Sequence, residues 1–283
     1  MQELLKEIQK QADTMPQAQQ AVADYILAHY QDVPFLSVTA LAAAIGVSDT
    51  TVIKFCTRLG FPGYAGFRRA LSGYVQSELT MYGKLETRLD SIEDGSLLDE
   101  VLACDRSNVE LTLNNPVNRR NFDRLLQMLD EARTIYICGF RTAAMQAEFL
   151  AACLSQQARS VVPILPGTGH FTDQLSRIGQ NDLFLAFVFS RYSSEVIHAL
   201  QFLQKEQVPC VAITDTVSSP AYGLSDLAFL CETASCSYQG SYAGCTALIN
   251  AIVTGSSRSR RTQTAKFLKR LEDVFVEFDT FYR

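Results

Sequence analysis

Five short apolar runs, several of them separated by helical stretches, constrain the fold of this chain more than any other feature. They are TIYICG (134–139), SVVPIL (160–165), DLFLAFVF (182–189), VPCVAIT (208–214) and DLAFLC (226–231). They show little polar–apolar alternation, so each strand must be covered on both faces. Between them stand AAMQAEFLAACLSQ (143–156), FTDQLSRIG (171–179) and SEVIHALQFLQKEQ (194–207), which carry the apolar recurrence of helices. Strand–helix repetition with right-handed crossovers gives a parallel, doubly wound α/β sheet of about five strands across 109–283. A helix over about 240–254 follows. The segment 259–281 is amphipathic, with Phe267, Leu271, Val274, Phe275 and Phe278 on one side. That stripe suggests packing across a dimer interface.

The first 77 residues have a different texture and read as all helical. Pro16 opens a helix to about Tyr30, with Ala18, Val22, Tyr25, Ile26 and His29 on a recurring face. Then comes LSVTALAAAIGVSDTTVIKFCTRL (36–59), which has the form of a helix-turn-helix. Leu36, Leu41, Ala42 and Ile45 repeat at helical spacing, and Gly46 supplies the left-handed stop. Ser48 is a good N-cap for the second helix. Val52, Phe55, Cys56 and Leu59 fall on one side of it. Asp49, Thr50, Thr51, Lys54, Thr57 and Arg58 fall largely elsewhere. Polar and basic side chains near the start of a second helix are what major-groove reading requires.

Charge supports that expectation. The 283-residue chain is acidic, with a net charge of −5. Residues 48–76 nevertheless hold Lys54, Arg58, Arg68 and Arg69 against Asp49 alone. A basic patch on an acidic protein fits phosphate contact. Tyr64, on a Gly-flanked loop, can either donate to a phosphate or pack as a hinge. The expected DNA-facing residues are Ser48, Thr50, Thr51, Lys54, Arg58, Tyr64 and Arg68, and the expected partner is double-stranded DNA.

No apolar run is long enough to span a bilayer, and MQELLKEIQK is charged and amphipathic, unlike a signal peptide. No membrane partner is expected, and a cytoplasmic location is. The eight cysteines are scattered without a C-x-x-C pair. They read as free thiols in a reducing compartment, with no metal site and no cofactor. The expected organisation is 1–77 for DNA binding, a helical connection over 78–108 broken at Asp94-Gly95-Ser96, and 109–283 for effector binding and dimerisation.

Open parallel sheets bind ligands outside the carboxyl ends of their strands. Three loops qualify. Gly139-Phe140-Arg141-Thr142-Ala143 opens a helix after the first strand, where free backbone N–H groups and Arg141 favour an anion. Ser190-Arg191-Tyr192-Ser193-Ser194-Glu195 follows the third strand. Thr214-Asp215-Thr216-Val217-Ser218-Ser219-Pro220 follows the fourth. Ordinary helix capping accounts for any single Ser or Thr here, but the three loops share one sheet edge. The expected ligand-binding residues are Arg141, Thr142, Ser190, Arg191, Ser193 and His170. His170, after Pro166-Gly167-Thr168-Gly169, either lines the pocket or lies exposed.

These features together resemble the RpiR family of bacterial transcriptional regulators. The most specific segments are LAAAIGVSDTTVIKFCTRLGFPGYAGFRRAL (41–71) and AITDTVSSPAYGLSDLAFL (212–230). The resemblance implies a helix-turn-helix domain joined to a sugar isomerase (SIS) domain. It puts Ser48, Thr50, Thr51, Lys54 and Arg58 on the recognition helix. It also implies a dimer that senses a metabolite, often a phosphosugar. The chain departs from the phosphosugar pattern twice. Arg141 stands for the second Gly of Gly-x-Gly-x-Ser, with Ala143 for its Ser, and Arg191 stands for the Gly of Ser-x-Ser-Gly-x-Thr-x-Glu. Each arginine either fills ligand space or adds a charged fork.

The expected function is a transcriptional regulator whose SIS domain senses a small anionic metabolite. Two alternatives remain at this point. One is a sugar-phosphate isomerase using Glu148, Glu195 or His170, none of which stands in a distinctive motif. The other is a DNA-binding dimer that responds to no ligand. No catalytic residue is expected.

Overall fold

The computed structural model describes residues 2–12, 14–30, 33–79, 81–89, 96–167 and 170–282. Asp94 and Gly95 of the expected break, and Thr168 and Gly169 before His170, lie outside these residues. The chain divides into two compact units, the first running to Ser96 and including Cys236–Gln239, the second holding Leu97–Ser235 and the residues from Gly240 on.

The first unit is helical. It comprises α1 (Gln2–Ala12), α2 (Gln17–His29), a 3-10 turn (Val33–Phe35), α3 (Val38–Ile45), α4 (Asp49–Arg58), α5 (Tyr64–Leu79) and α6 (Met81–Leu89). Local chemistry sets the α3–α4 corner. Ser37 caps α3 by accepting from Ala40 N–H, and Gly46 ends it at φ 81. Two residues later Ser48 caps α4 by accepting from Thr51 N–H. Val22, Ile26, Leu41, Val52, Phe55, Phe67 and Leu71 close one core. Phe55 and Phe67 meet edge to face, with centroids 6.0 Å apart. Complete burial of a side chain like Phe55 contributes about 1.5–3 kcal/mol.

The second unit begins with α7 (Leu97–Asn114) and α8 (Pro116–Glu131). There follow β1 (Ile135–Gly139), α9 (Ala143–Ser155), β2 (Val161–Ile164), α10 (Phe171–Leu175), β3 (Leu183–Phe187) and α11 (Ser194–Lys205). The unit ends with β4 (Cys210–Thr214), α12 (Pro220–Gly223), β5 (Leu227–Leu230), α13 (Ala243–Ser259) and α14 (Arg261–Glu277). The five strands form one all-parallel sheet in the order β2-β1-β3-β4-β5. Strand side chains alternate between two cores. Ile135, Ile137, Leu183, Leu185, Val211 and Ile213 pack with α8, α9 and α13 on one face. Tyr136, Cys138, Phe184, Ala186, Cys210 and Ala212 pack with α10, α11 and α12 on the other. Two covered faces explain why the strand runs are apolar throughout.

The unit boundary falls inside the span expected as a connection. Leu97–Asn108 is the first part of α7, whose Asn108 donates to Ala234 carbonyl at 2.7 Å. Beyond it, Asn118 on α8 fixes β5. Its amide donates to Leu230 carbonyl at 2.7 Å and to Thr112 carbonyl at 2.8 Å, and its oxygen accepts from Leu230 N–H at 2.7 Å. Asn121 adds a bond to Ala228 carbonyl at 2.8 Å. Side-chain amides thus occupy backbone groups that a sixth strand would use.

Candidate functional site

The order β2-β1-β3 places the topological switch between β1 and β3, whose ends Gly139 and Phe187 are in register. A crevice at the carboxyl ends of these strands is where such sheets take ligands. Gly139 is required there by close approach. A Cβ would lie 2.5 Å from Ala143 carbonyl oxygen and 2.9 Å from the Ala147 methyl. The chain then turns through Arg141 at φ 58, and the matching turn after β3 passes through Arg191 at φ 66. Both backbones therefore follow the left-handed path that glycine would take. Each arginine is exposed, so its guanidinium adds to the glycine-type backbone without filling the core behind it.

Other contacts hold these turns. Thr142 shares a 2.9 Å hydrogen bond with the hydroxyl of Tyr242, which precedes α13, and Tyr242 meets Phe189 edge to face at 5.1 Å. Asp215, after β4, accepts from Ser190 N–H at 2.8 Å and from Tyr192 hydroxyl at 3.0 Å. Burial, then the Asp215 charge and its hydrogen bond, push the Tyr192 phenol well up, so it stays protonated as donor. Ser193 donates to Glu195 at 2.5 Å; this bond leads the effects that hold the Glu195 carboxyl below its usual value. In the third loop, Thr214 donates to Ser219 at 2.8 Å, and Ser219 caps α12. That loop's hydroxyls are thus engaged internally, and its contribution to the edge is the Asp215 clasp. His170 is exposed at the start of α10, 3.4 Å from Asp173. Its neighbour Phe171 stacks edge-on against Phe140 at 5.2 Å, which draws this turn toward the one after β1.

Arg141, Thr142, Ser190, Arg191 and Ser193 thus stand on two adjoining turns at one sheet edge. Sequence inspection missed Asp215 and Tyr242 as organisers, since each acts on a partner 23 to 100 residues away. Glu148 is exposed on α9, and Glu195 is exposed and engaged by Ser193.

A cavity of about 440 Å³ opens at the opposite end of the sheet, lined by Asp130, Arg133, Arg159 and Arg260 among others. Its chemistry is mostly internal. Arg133 makes a two-pronged pair with buried Asp182 at 2.9 and 2.7 Å. Buried Arg159 bonds Asp130, Leu129 carbonyl and Ser256.

In the first unit, α4 buries Val52, Phe55 and Cys56 and exposes Thr50, Ile53, Lys54, Thr57 and Arg58. Ser48 caps the helix and shares a 2.9 Å bond with the Thr51 hydroxyl, so both fix its start. Arg58 is tied back, donating to Thr14 carbonyl at 3.0 Å and to its hydroxyl at 3.2 Å. Arg68 is exposed on α5. Tyr64 corrects one expectation. It is buried, and its hydroxyl proton is shared between the carbonyls of Val33 and Leu36 at 3.1 and 3.0 Å. It is a packing residue that fastens α5 to the 3-10 turn, and its hydroxyl has no proton left for a phosphate. Burial, the main influence, pushes the Cys56 thiol up to about 12, consistent with a core thiol. Among the described residues, no single helix is long and apolar enough to cross a membrane.

The helix-turn-helix domain of the rpiR family matches residues 2–78, and the SIS domain matches 128–254. An uncharacterized HTH-type transcriptional regulator of Haemophilus influenzae is 23% identical over 225 residues, 79% of this chain and 77% of that protein. The HTH-type transcriptional regulator HexR of Pseudomonas aeruginosa is 29% identical over 149 residues, covering 52% and 50%. Among solved structures, Vibrio vulnificus NanR complexed with ManNAc-6P aligns with TM-score 0.59 and 22% identity, covering 97% of this chain and 98% of that one. The sugar isomerase domain of an RpiR transcription factor from Sphaerobacter thermophilus gives 0.61 and 21%, covering 63% and 99%. The helix-turn-helix match falls on the helical unit and the SIS match on the α/β unit, and so the chain belongs to the RpiR-type bacterial transcriptional regulators, a DNA-binding helix-turn-helix domain joined to a SIS domain.

Proposed function

We propose that this regulator tunes its DNA affinity through a small anionic metabolite of the phosphosugar class, bound at the β1/β3 crevice. The observation that carries this is the backbone at Arg141 and Arg191, φ 58 and 66. A left-handed non-glycine residue costs about 1–2 kcal/mol, and two of them flank the one crevice where this sheet type takes ligands. Ala158, Gln207 and Asp279 share this conformation just past the ends of α9, α11 and α14, where a left-handed residue is a common helix stop; at the crevice it favours a binding role. The backbone turn offers N–H groups to a phosphate, and the two guanidinium groups add charge. The complex of NanR with ManNAc-6P supports that ligand class.

On the DNA side, Thr50 and Lys54 face the major groove from α4, while Ser48 and Thr51 fix its first turn. Arg58 orients α4 through Thr14 and offers its remaining donors to a phosphate, as does Arg68 on α5. The DNA-binding domain is 1–77, the effector-binding domain is 109–283 extended at its start by α7 from Leu97, and the regulator works in the cytoplasm. It acts as a homodimer reading two half-sites about 34 Å apart or a multiple of that. The incompletely covered stripe of α14 supports this. Only Thr264 of that helix is buried, and along the stripe Phe267, Leu271, Val274, Phe275 and Phe278 the first, second and fourth are half-buried while Val274 and Phe278 are exposed. Ligand binding changes DNA affinity by the difference in its affinity for two protomer arrangements. The SIS unit senses and does not catalyse; the engagement of Glu195 by Ser193 supports that role.

The test pairs a thermal-shift series with operator binding, using the full-length protein with ManNAc-6P, other phosphosugars and sugar acids. A true effector at a hundredfold excess over its Kd stabilises the protein by about 2.7 kcal/mol and alters operator affinity. If no anion moves either readout while operator binding persists, the sensing assignment is wrong and a ligand-independent dimer stands.

A further inference from the structure

We infer that Ile53 reads a base, its side chain touching the 5-methyl group of one thymine in each operator half-site. The inference rests on α4 being the recognition helix. The exposed positions of α4 are Thr50, Ile53, Lys54, Thr57 and Arg58, which at i, i+3, i+4, i+7 and i+8 form one continuous stripe. Ile53 is 42% exposed, and among the described side chains between Leu4 and Leu71 it is the only large apolar one that is exposed. A lone exposed isoleucine is ordinary on a protein surface. This one sits inside the helix face that must meet DNA, while the other large apolar side chains around it pack against the unit's core.

The groups around it narrow its partner. Thr57 spends its hydroxyl proton on the Ile53 carbonyl at 2.9 Å. Arg58 is tied to Thr14, and the Thr51 hydroxyl to Ser48. Thr50 and Lys54 remain as the flanking polar groups. An isoleucine here can gain only by apolar contact, and the apolar mark on the major-groove edge of a base pair is the thymine methyl. Its branched side chain is nearly fixed at χ1 in a helix, so little rotamer freedom is lost on contact. Lys54, beside it, is placed for a guanine edge or a phosphate of an adjoining pair.

The experiment starts from a site selected out of random duplex DNA by the full-length protein. Each thymine is then replaced singly by deoxyuridine, which removes only the methyl. One replacement per half-site should weaken binding about fourfold, the weight of one methyl-sized group leaving an apolar contact. Ile53→Ala should bind the intact site less tightly and show no response to uracil at that position. Ile53→Val should keep part of the response. Equal uracil responses in wild type and Ile53→Ala, or no response at any thymine, overturn the inference and leave DNA binding standing. Failure to select any sequence overturns both.

Discussion

Arg141 and Arg191 hold a backbone conformation that a side chain resists. Glycine at either position would adopt it without the Cβ clash, though it would also give the unfolded chain more freedom. The two effects oppose and differ by less than each is worth. Arg141→Gly and Arg191→Gly should therefore leave the ligand-free protein as stable as wild type or up to about 1 kcal/mol more so. The same substitutions should weaken effector stabilisation at least tenfold in concentration, because a charge-assisted contact is lost. Paired melting curves with and without effector check this. A clear loss of ligand-free stability would mean that the guanidinium groups hold structure instead.

Elements in the second unit depend on side chains that stand in for backbone. Asn118 serves both the N–H and the C=O of Leu230 and the carbonyl of Thr112. Asn118→Ala should cost about 2–4 kcal/mol by leaving buried backbone groups unpaired. Asn121→Ala, which releases a single carbonyl, should cost about 1 kcal/mol. Urea titrations measure both, and equal losses would refute the edge-fixing role of Asn118. The same contrast explains what was legible in the sequence. The strand runs and the Gly46–Ser48 corner could be read because their causes are local: two covered faces in one case, a left-handed stop and a cap in the other. Arg141 and Arg191 could be read as departures because they interrupt a short motif. Asn118, Tyr64, Tyr242 and Asp215 could not, because each bonds a partner 23 to 112 residues away. The start of α7 was hidden for the same reason. Its charges suggest a connection, while Asn108 bonds a residue 126 positions later.

At the scale of the whole molecule, the proposed dimer is tested at α14. Its apolar stripe is incompletely covered within its own unit, with Phe267, Leu271 and Phe275 half-buried and Val274 and Phe278 exposed. Leu271→Glu with Val274→Glu should convert a dimer into monomers by light scattering, since paired charges would oppose burial of that face. Operator affinity should then fall at least a hundredfold, because two linked half-site contacts become independent. A dimer unchanged by both substitutions would assign assembly to another surface. The edges of the sheet bear on the same question. β5 at one flank has the N–H and carbonyl of Leu230 and the carbonyl of Ala228 occupied by Asn118 and Asn121. β2 at the other flank carries Pro163 in its pairing register, and a proline there withdraws a donor from the ladder. Neither flank invites another chain's strand, so association by sheet extension, the route to open-ended filaments, is discouraged at both sides. Copies of this chain that do meet must then do so through side-chain surfaces and not by lending strands to one another's sheets.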